Sequence, residues 1–203
     1  GYGLTETSPL ASYNHETRYR LGSIGVPIEG VDMKVVGEDG SDCSPGQWGE
    51  ICIRGPNVMA GYFRNDEETA LAMRGSWFRS GDIGYCDSDG YYFLVDRQKD
   101  MINRSGFKIW PREVEEVLYR HAAVKECAVV GTAHPTHGES VVAYIMRAEG
   151  SAVSVQALRE HCRAQLAGYK VPERFVLEAP IPKNASGKIL KQELRRRASE
   201  DAP

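Results

Sequence analysis

With 203 residues, 41% hydrophobic and 26% charged, the chain has enough apolar material for one domain or two small ones. A formal net charge of -3 gives no overall basic field for nucleic acid, and no apolar run approaches the roughly 20 residues a membrane-spanning helix requires. The five cysteines (Cys43, Cys52, Cys86, Cys127 and Cys162) are widely spaced without a CxxC pair, which fits a reducing, cytoplasmic compartment better than a disulfide framework.

The first half reads as short strands broken by glycine turns. Val31–Val36 is a strand candidate followed by the turn Glu38-Asp39-Gly40. Glu50–Arg54 alternates, with Ile51 and Ile53 expected inward and Glu50, Cys52 and Arg54 outward. Asn65–Met73 suits a short helix that Asp66 could cap, and Tyr91–Val95 is a further strand after the turn at 87–90. Repeated short strands predict a small barrel-like or distorted sheet.

The pattern changes after Asp96-Arg97-Gln98-Lys99-Asp100. Pro111–His121 begins with a helix-compatible proline and repeats Val114, Val117 and Leu118 at helical spacing. Val124–Val130 and Val141–Met146 are strand candidates, Val155–Leu166 a helix with Ser154 as its cap, Phe175–Leu177 a short strand, and Ile189–Arg197 a last helix. The alternation predicts an α+β fold with two domains, residues 1–97 and 98–203, and little reason for Ala198–Pro203 to be ordered. The charged junction itself reads either as a solvated turn or as a hinge.

Several segments carry chemistry. Gly1–Thr7 joins glycines, which permit close backbone approach, to the Thr5 hydroxyl and the Glu6 carboxylate; these suit a phosphate oxygen and Mg²⁺, or simply a capped turn. Asp82, in Arg79-Ser80-Gly81-Asp82, is a carboxylate beside a flexible turn that could accept from two ribose hydroxyls. Arg97 offers a fork of donors to a nucleotide or to a neighbouring acid. Residues 182–189, PKNASGKI, put Lys188 at a glycine-rich turn, where an ammonium can offset charge developing on a phosphate. His134, His137 and Glu139 lack the regular spacing of a metal motif and read as a polar loop. From Lys170 to Arg197, eight Lys or Arg face three Glu, a local positive bias without interleaved aromatic platforms for nucleic acid.

Taken together, GYGLTETSP at 1–9, GSIGVPIEG at 22–30, GEICIRGPNVMAGYF at 49–63, WFRSGDIG at 77–84, DGYYFLVDRQKDMINRSGFKIWPREVEEVL at 89–118 and PKNASGKILKQELR at 182–195 resemble the acyl-adenylate-forming superfamily. The wording is most similar to acyl-CoA synthetases of the medium- or long-chain fatty-acid type. The resemblance implies the β-rich end of a large N-terminal domain followed by a mobile α+β C-terminal domain. It also implies residue roles. Tyr2, Gly3 and Thr5 would bind ATP or AMP, Glu6 would help hold Mg²⁺, and Asp82 and Arg97 would contact the ribose. Lys99 would be the hinge, Lys188 the lysine that promotes adenylation, and Ser105 and Gly106 would lie in the loop that admits the CoA pantetheine arm.

The implied reaction activates a carboxylic acid with ATP to acyl-AMP and passes the acyl group to CoA, releasing AMP and pyrophosphate. The upstream phosphate loop and acyl pocket such enzymes use are not among these 203 residues, so the expectation is a longer polypeptide and an isolated chain unable to catalyse adenylation. The resemblance further admits a homodimer and a regulatory acetyltransferase acting on Lys188. Two other functions share these motifs: an adenylation domain that loads an amino or aryl acid onto a carrier protein, and a non-enzymatic AMP- or ATP-binding or interaction fragment.

Overall fold

A computed structural model describes residues 1–177 and 181–200 and divides the chain into two units, Gly1–Lys99 and Asp100–Pro203. No helix among the described residues is long and apolar enough to cross a membrane.

The first unit opens with a single helical turn at Thr5–Thr7 and a two-strand ribbon, β1 (Ser12–Tyr13) with β2 (Val26–Pro27). The strands β3 (Asp32–Val36) and β4 (Gly49–Arg54), the helix α1 (Asp66–Ala72), and the strands β5 (Met73–Arg74), β6 (Trp77–Cys86) and β7 (Tyr92–Arg97) follow. Five strands form an open antiparallel sheet in the order β3-β4-β6-β5, with β7 also on β6, so the expected barrel-like element is a distorted open sheet. Its core is Val31, Met33, Val35, Ile51, Ile53, Phe78 and Tyr92.

Two sequence expectations change here. In the central strand β4, Glu50 is 9% and Cys52 4% exposed, so neither faces solvent as the alternation suggested. The cap of α1 is Asn65, whose side chain accepts from the Glu68 N–H, rather than Asp66.

The second unit contains β8 (Ile102–Arg104), β9 (Phe107–Ile109), α2 (Pro111–Tyr119), β10 (Val124–His134), β11 (Gly138–Arg147), α3 (Val155–Arg163), β12 (Arg174–Val176) and α4 (Lys191–Glu200). Its sheet runs β10-β11-β8-β9, with β12 parallel to β11. Both faces are covered, which is why the central strands read as continuous apolar runs. Cys127, Val129, Val141, Ala143 and Ile145 pack with Val114, Val117 and Leu118 of α2 and Leu158 and Cys162 of α3. On the other face, Ala128, Val130, Val142 and Tyr144 meet Leu194 and Ala198 of α4. Fully burying side chains such as Leu118 and Leu158 contributes about 1.5–3 kcal/mol each.

Local signals start the helices where expected. Pro111 occupies the first turn of α2, and the Ser154 side chain accepts from the Ala157 N–H to cap α3. At the other end the expectation fails, since Ala198 is fully buried in α4; residues 201–203 lie outside the described part. The α2 helix also reaches the outer side of β10: the Tyr119 hydroxyl bonds both the N–H and the C=O of Cys127, and Glu115 accepts from the Val129 N–H.

Candidate functional site

In the first unit the polar centre is Asp82. The pairing of β4 with β6 shifts between Glu50 and Cys52, so two more residues lie on β6 than on β4, and this bulge contains Ser80 and Gly81. Ser80 donates to the Ile51 carbonyl at 2.7 Å and accepts from the Asp82 N–H at 3.0 Å, while the Glu50 carboxylate accepts from the Gly81 N–H at 3.0 Å and pairs with Arg79 at 2.7 Å. Gly81 sits at φ +69°, a conformation glycine adopts without strain. What the sequence suggested was a flexible turn is therefore a bulge locked inside a strand.

The bulge aims Asp82 at two donors. The Tyr2 hydroxyl donates to Oδ2 at 2.7 Å, and Arg97 Nε, from the cross-strand partner of Asp82, lies 2.9 Å from Oδ1. Asp82 is 2% exposed, whereas the Arg97 side chain is 39% exposed, so Arg97 is the accessible member of the cluster. Burial, reinforced by the Asp82 carboxylate, holds the Tyr2 phenol well above its usual pKa and keeps it a neutral donor.

Thr5 and Glu6 lie on the helical turn at Thr5–Thr7, which the Thr7 hydroxyl stabilises by accepting from the Leu4 N–H and donating to the Leu4 carbonyl. Asn57 secures the turn from outside by donating to the Thr7 and Leu10 carbonyls. Thr5 is exposed, and Glu6 Oε1 accepts from the Tyr62 hydroxyl at 3.0 Å. Gly3 cannot be replaced without moving backbone, since a Cβ there would lie 1.6 Å from the Pro9 oxygen.

In the second unit Ser105 and Gly106 form the two-residue turn between β8 and β9, at φ +52° and +85°, the signature of a type I′ hairpin. Gly106 N–H donates to Asn103 Oδ1 at 3.0 Å, and Ser105 N–H donates to the His137 carbonyl at 2.8 Å. The rings of His134 and His137 stack with centroids 4.8 Å apart, while Glu139 accepts from the Asn103 N–H. His134 and Glu139 lie on β10 and β11 rather than in the polar loop expected of them.

Lys188 is carried on a tight exposed hairpin. Asn184 Oδ1 accepts from the Ser186 N–H, the Ser186 hydroxyl and the Lys188 N–H, at 3.1, 2.8 and 2.8 Å. Helix α4 begins only at Lys191, two residues later than the expected Ile189, so Lys188 lies on the hairpin before it. Lys99 is exposed on the turn Gln98–Asp100.

Sequence reading missed Tyr62, Glu50 and Ser80, the side chains that fix the site from below. Apart from the Ser80 contact with the Asp82 N–H, their partners lie 56 residues away for Tyr62 and 29 to 31 residues away for Glu50 and Ser80, so local spacing does not reveal how they fix the site.

Two family models match: the AMP-binding enzyme model over residues 1–63 and the AMP-binding enzyme C-terminal domain model over residues 113–188. Tyr2, Gly3, Thr5 and Glu6 fall in the first and Lys188 closes the second, while Asp82, Arg97, Lys99, Ser105 and Gly106 lie between them. The chain is 42% identical over 196 residues to a long-chain-fatty-acid–CoA ligase of Salmonella typhimurium, covering 96% of this chain and 35% of that protein. It is 44% identical over 199 residues to a feruloyl-CoA synthase of Amycolatopsis sp, covering 97% of this chain and 40% of that one. The solved anthranilate CoA ligase AuaEII in complex with anthranoyl-AMP superposes with a TM-score of 0.88 at 32% identity, covering 98% of this chain and 39% of its own. The chain thus spans between a third and two-fifths of the length of these relatives.

Proposed function

The chain belongs to the AMP-binding, acyl-adenylate-forming enzyme family, and from that premise we propose that the enzyme of which it is a segment joins a carboxylic acid, a fatty acid in this reading, to coenzyme A using ATP. The observation that carries the reading is identity of 42% and 44%, over nearly the whole chain, to two enzymes named for CoA thioester formation.

In the first step a carboxylate oxygen of the acid attacks the α-phosphorus of ATP. The bond to the bridging oxygen breaks, pyrophosphate leaves with the electron pair, and acyl-AMP remains. Lys188 offsets the charge that develops on the phosphoryl oxygens, Thr5 donates to one of them, and Arg97 with Asp82 holds the ribose hydroxyls. Glu6 fits a magnesium ion: Tyr62 fixes one carboxylate oxygen and leaves the other, and Mg²⁺ is commonly bound by one or two carboxylates with phosphate oxygens and water. When bound, the ion neutralises phosphate charge.

In the second step the CoA sulfur attacks the acyl carbonyl, the bond to the AMP oxygen breaks, AMP departs, and the thiol proton passes to solvent. Ser105 and Gly106 give the pantetheine arm room, and a rotation about Lys99, at the junction of domains 1–97 and 98–203, exchanges the two arrangements.

A second reading concerns the acid. The feruloyl-CoA synthase and the anthranilate CoA ligase both act on aryl acids, which favours an aryl substrate as the alternative to a fatty one. Acid-dependent ATP–pyrophosphate exchange by the full-length enzyme, run with fatty and aryl acids and followed by CoA or a pantetheinylated carrier protein, separates these readings. Lys188→Ala is expected to slow exchange on the order of a hundredfold while thioester formation from synthetic acyl-AMP stays within about twofold. Lys188 acetylation, which removes the same charge, should give the same split, and Lys99→Pro should change the ratio of the two steps. Equal losses in both steps, or no exchange with any acid, would refute the proposal. Acyl-AMP formation by the 203-residue chain alone would refute the expectation that it is insufficient.

A further inference from the structure

The hairpin that carries Lys188 is exposed from Lys183 to Lys188, so its orientation is set at its base. A bridge between Lys183 and Ile189 and a bond from the Leu190 N–H to the Pro182 carbonyl at 2.9 Å close that base. Two ion pairs flank it. Lys183 Nζ lies 2.6 Å from Glu126 Oε1 on β10, and Lys191 Nζ lies 2.8 Å from Glu115 Oε1 on α2. Both glutamate side chains are only 16% exposed, and Glu115 is itself fixed by the Val129 N–H at 2.8 Å. The anchors therefore belong to the sheet and the helix packed on it, not to the hairpin. Of Lys183, Lys188 and Lys191, Lys188 alone has no carboxylate partner among the described residues.

Resting on the role given to Lys188 above, we infer that Glu126 and Glu115 are positioning residues for adenylation, clamping the hairpin through Lys183 and Lys191. A hairpin tied only by backbone at its base can pivot. Charge pairs five residues before and three after Lys188 oppose that pivot from both sides. They also neutralise the two neighbouring ammonium groups, which leaves Lys188 as the free cation offered to a polyphosphate. Small displacements of a charge-stabilising group are costly in rate, so losing one tie acts on the step that uses Lys188 and not on the step that uses Gly106.

The test uses the full-length enzyme. Glu126→Gln is expected to slow acyl-AMP formation roughly tenfold and to leave thioester formation from synthetic acyl-AMP within about twofold. The charge exchange of Glu126→Lys with Lys183→Glu should restore the first step, and in a Lys188→Ala background Glu126→Gln should cause no further loss. Glu115→Gln keeps an acceptor for the Val129 N–H and removes only the charge paired with Lys191, so it is read by amide exchange across residues 183–190, expected to quicken while the β11 amides stay protected. Equal losses in both steps, full additivity with Lys188→Ala, or unchanged exchange and kinetics would overturn the inference. Inactivity of the unsubstituted enzyme on every acid overturns the adenylation reading and the inference with it. An active enzyme indifferent to Glu126→Gln overturns the inference alone.

Discussion

Tyr2 and Asp82 are 80 residues apart, yet a buried hydrogen bond joins them in the first unit. Tyr2→Phe would keep the ring packed while removing one hydrogen bond to Asp82 Oδ2. Its expected effect is a loss of about 1–3 kcal/mol in unfolding free energy, with a rise in KM for ATP larger than any fall in kcat. Urea denaturation and steady-state kinetics of the full-length enzyme measure both, and unchanged stability together with unchanged KM would rule out the support role. Asp82, Arg97 and Lys188 were legible from the sequence as residue types in a recognisable order. Their fixation was not. Whether Arg79-Ser80-Gly81-Asp82 turns or stays in a strand depends on pairing with Gly49–Ile53 and Tyr92–Arg97, and the local text holds no trace of that pairing.

At the scale of elements, the turn at Ser105 and Gly106 separates strain from space. A Cβ at Gly106 would meet nothing within 4 Å, so substitution there costs only the left-handed backbone. Gly106→Asn should be milder than Gly106→Ala, because asparagine tolerates that region, with Ala costing about 1–2 kcal/mol. If thioester formation follows the same order while adenylation is unaffected, the turn acts by conformation; a larger loss with Asn than with Ala would show that side-chain bulk decides. The hairpin signal was absent from the sequence reading because Ser-Gly is a weaker marker than Asn-Gly. Strand cores such as Val141–Met146 were legible from their apolar runs. Their extensions, Gly131–His134 and Gly138–Ser140, were not, since pairing across the β10–β11 hairpin carries polar residues into the ladder. Helix starts were more readable than helix ends: Pro111 and Ser154 mark the first turns of α2 and α3, but both helices stop before the predicted residues.

For the whole molecule, each unit has its own core, and each core contains a buried thiol or two. Burial raises the pKa of Cys52 to about 11, of Cys127 to about 12 and of Cys162 to about 11, with Glu50 and Glu115 adding to the first two. The ordinary thiol value is 9.0, so the unfolded chain loses these protons first. Their contribution to stability is complete below about pH 9 and is lost as pH rises towards the folded values, the direction in which buried Tyr2 and Tyr92 also act. Urea midpoints of the chain measured from pH 8 to 11 should fall above about pH 9, and a flat profile would show that the thiols are not held this way.

The bonds from Tyr119 and Glu115 to β10 bear on how copies of the molecule behave in a crowded solution. As the outermost strand of its sheet, β10 would otherwise present the amides of Cys127 and Val129 as a template on which another chain could add a strand. With those amides occupied by a phenol and a carboxylate, an eleven-residue strand rich in valine is kept from acting as a seed for aggregation.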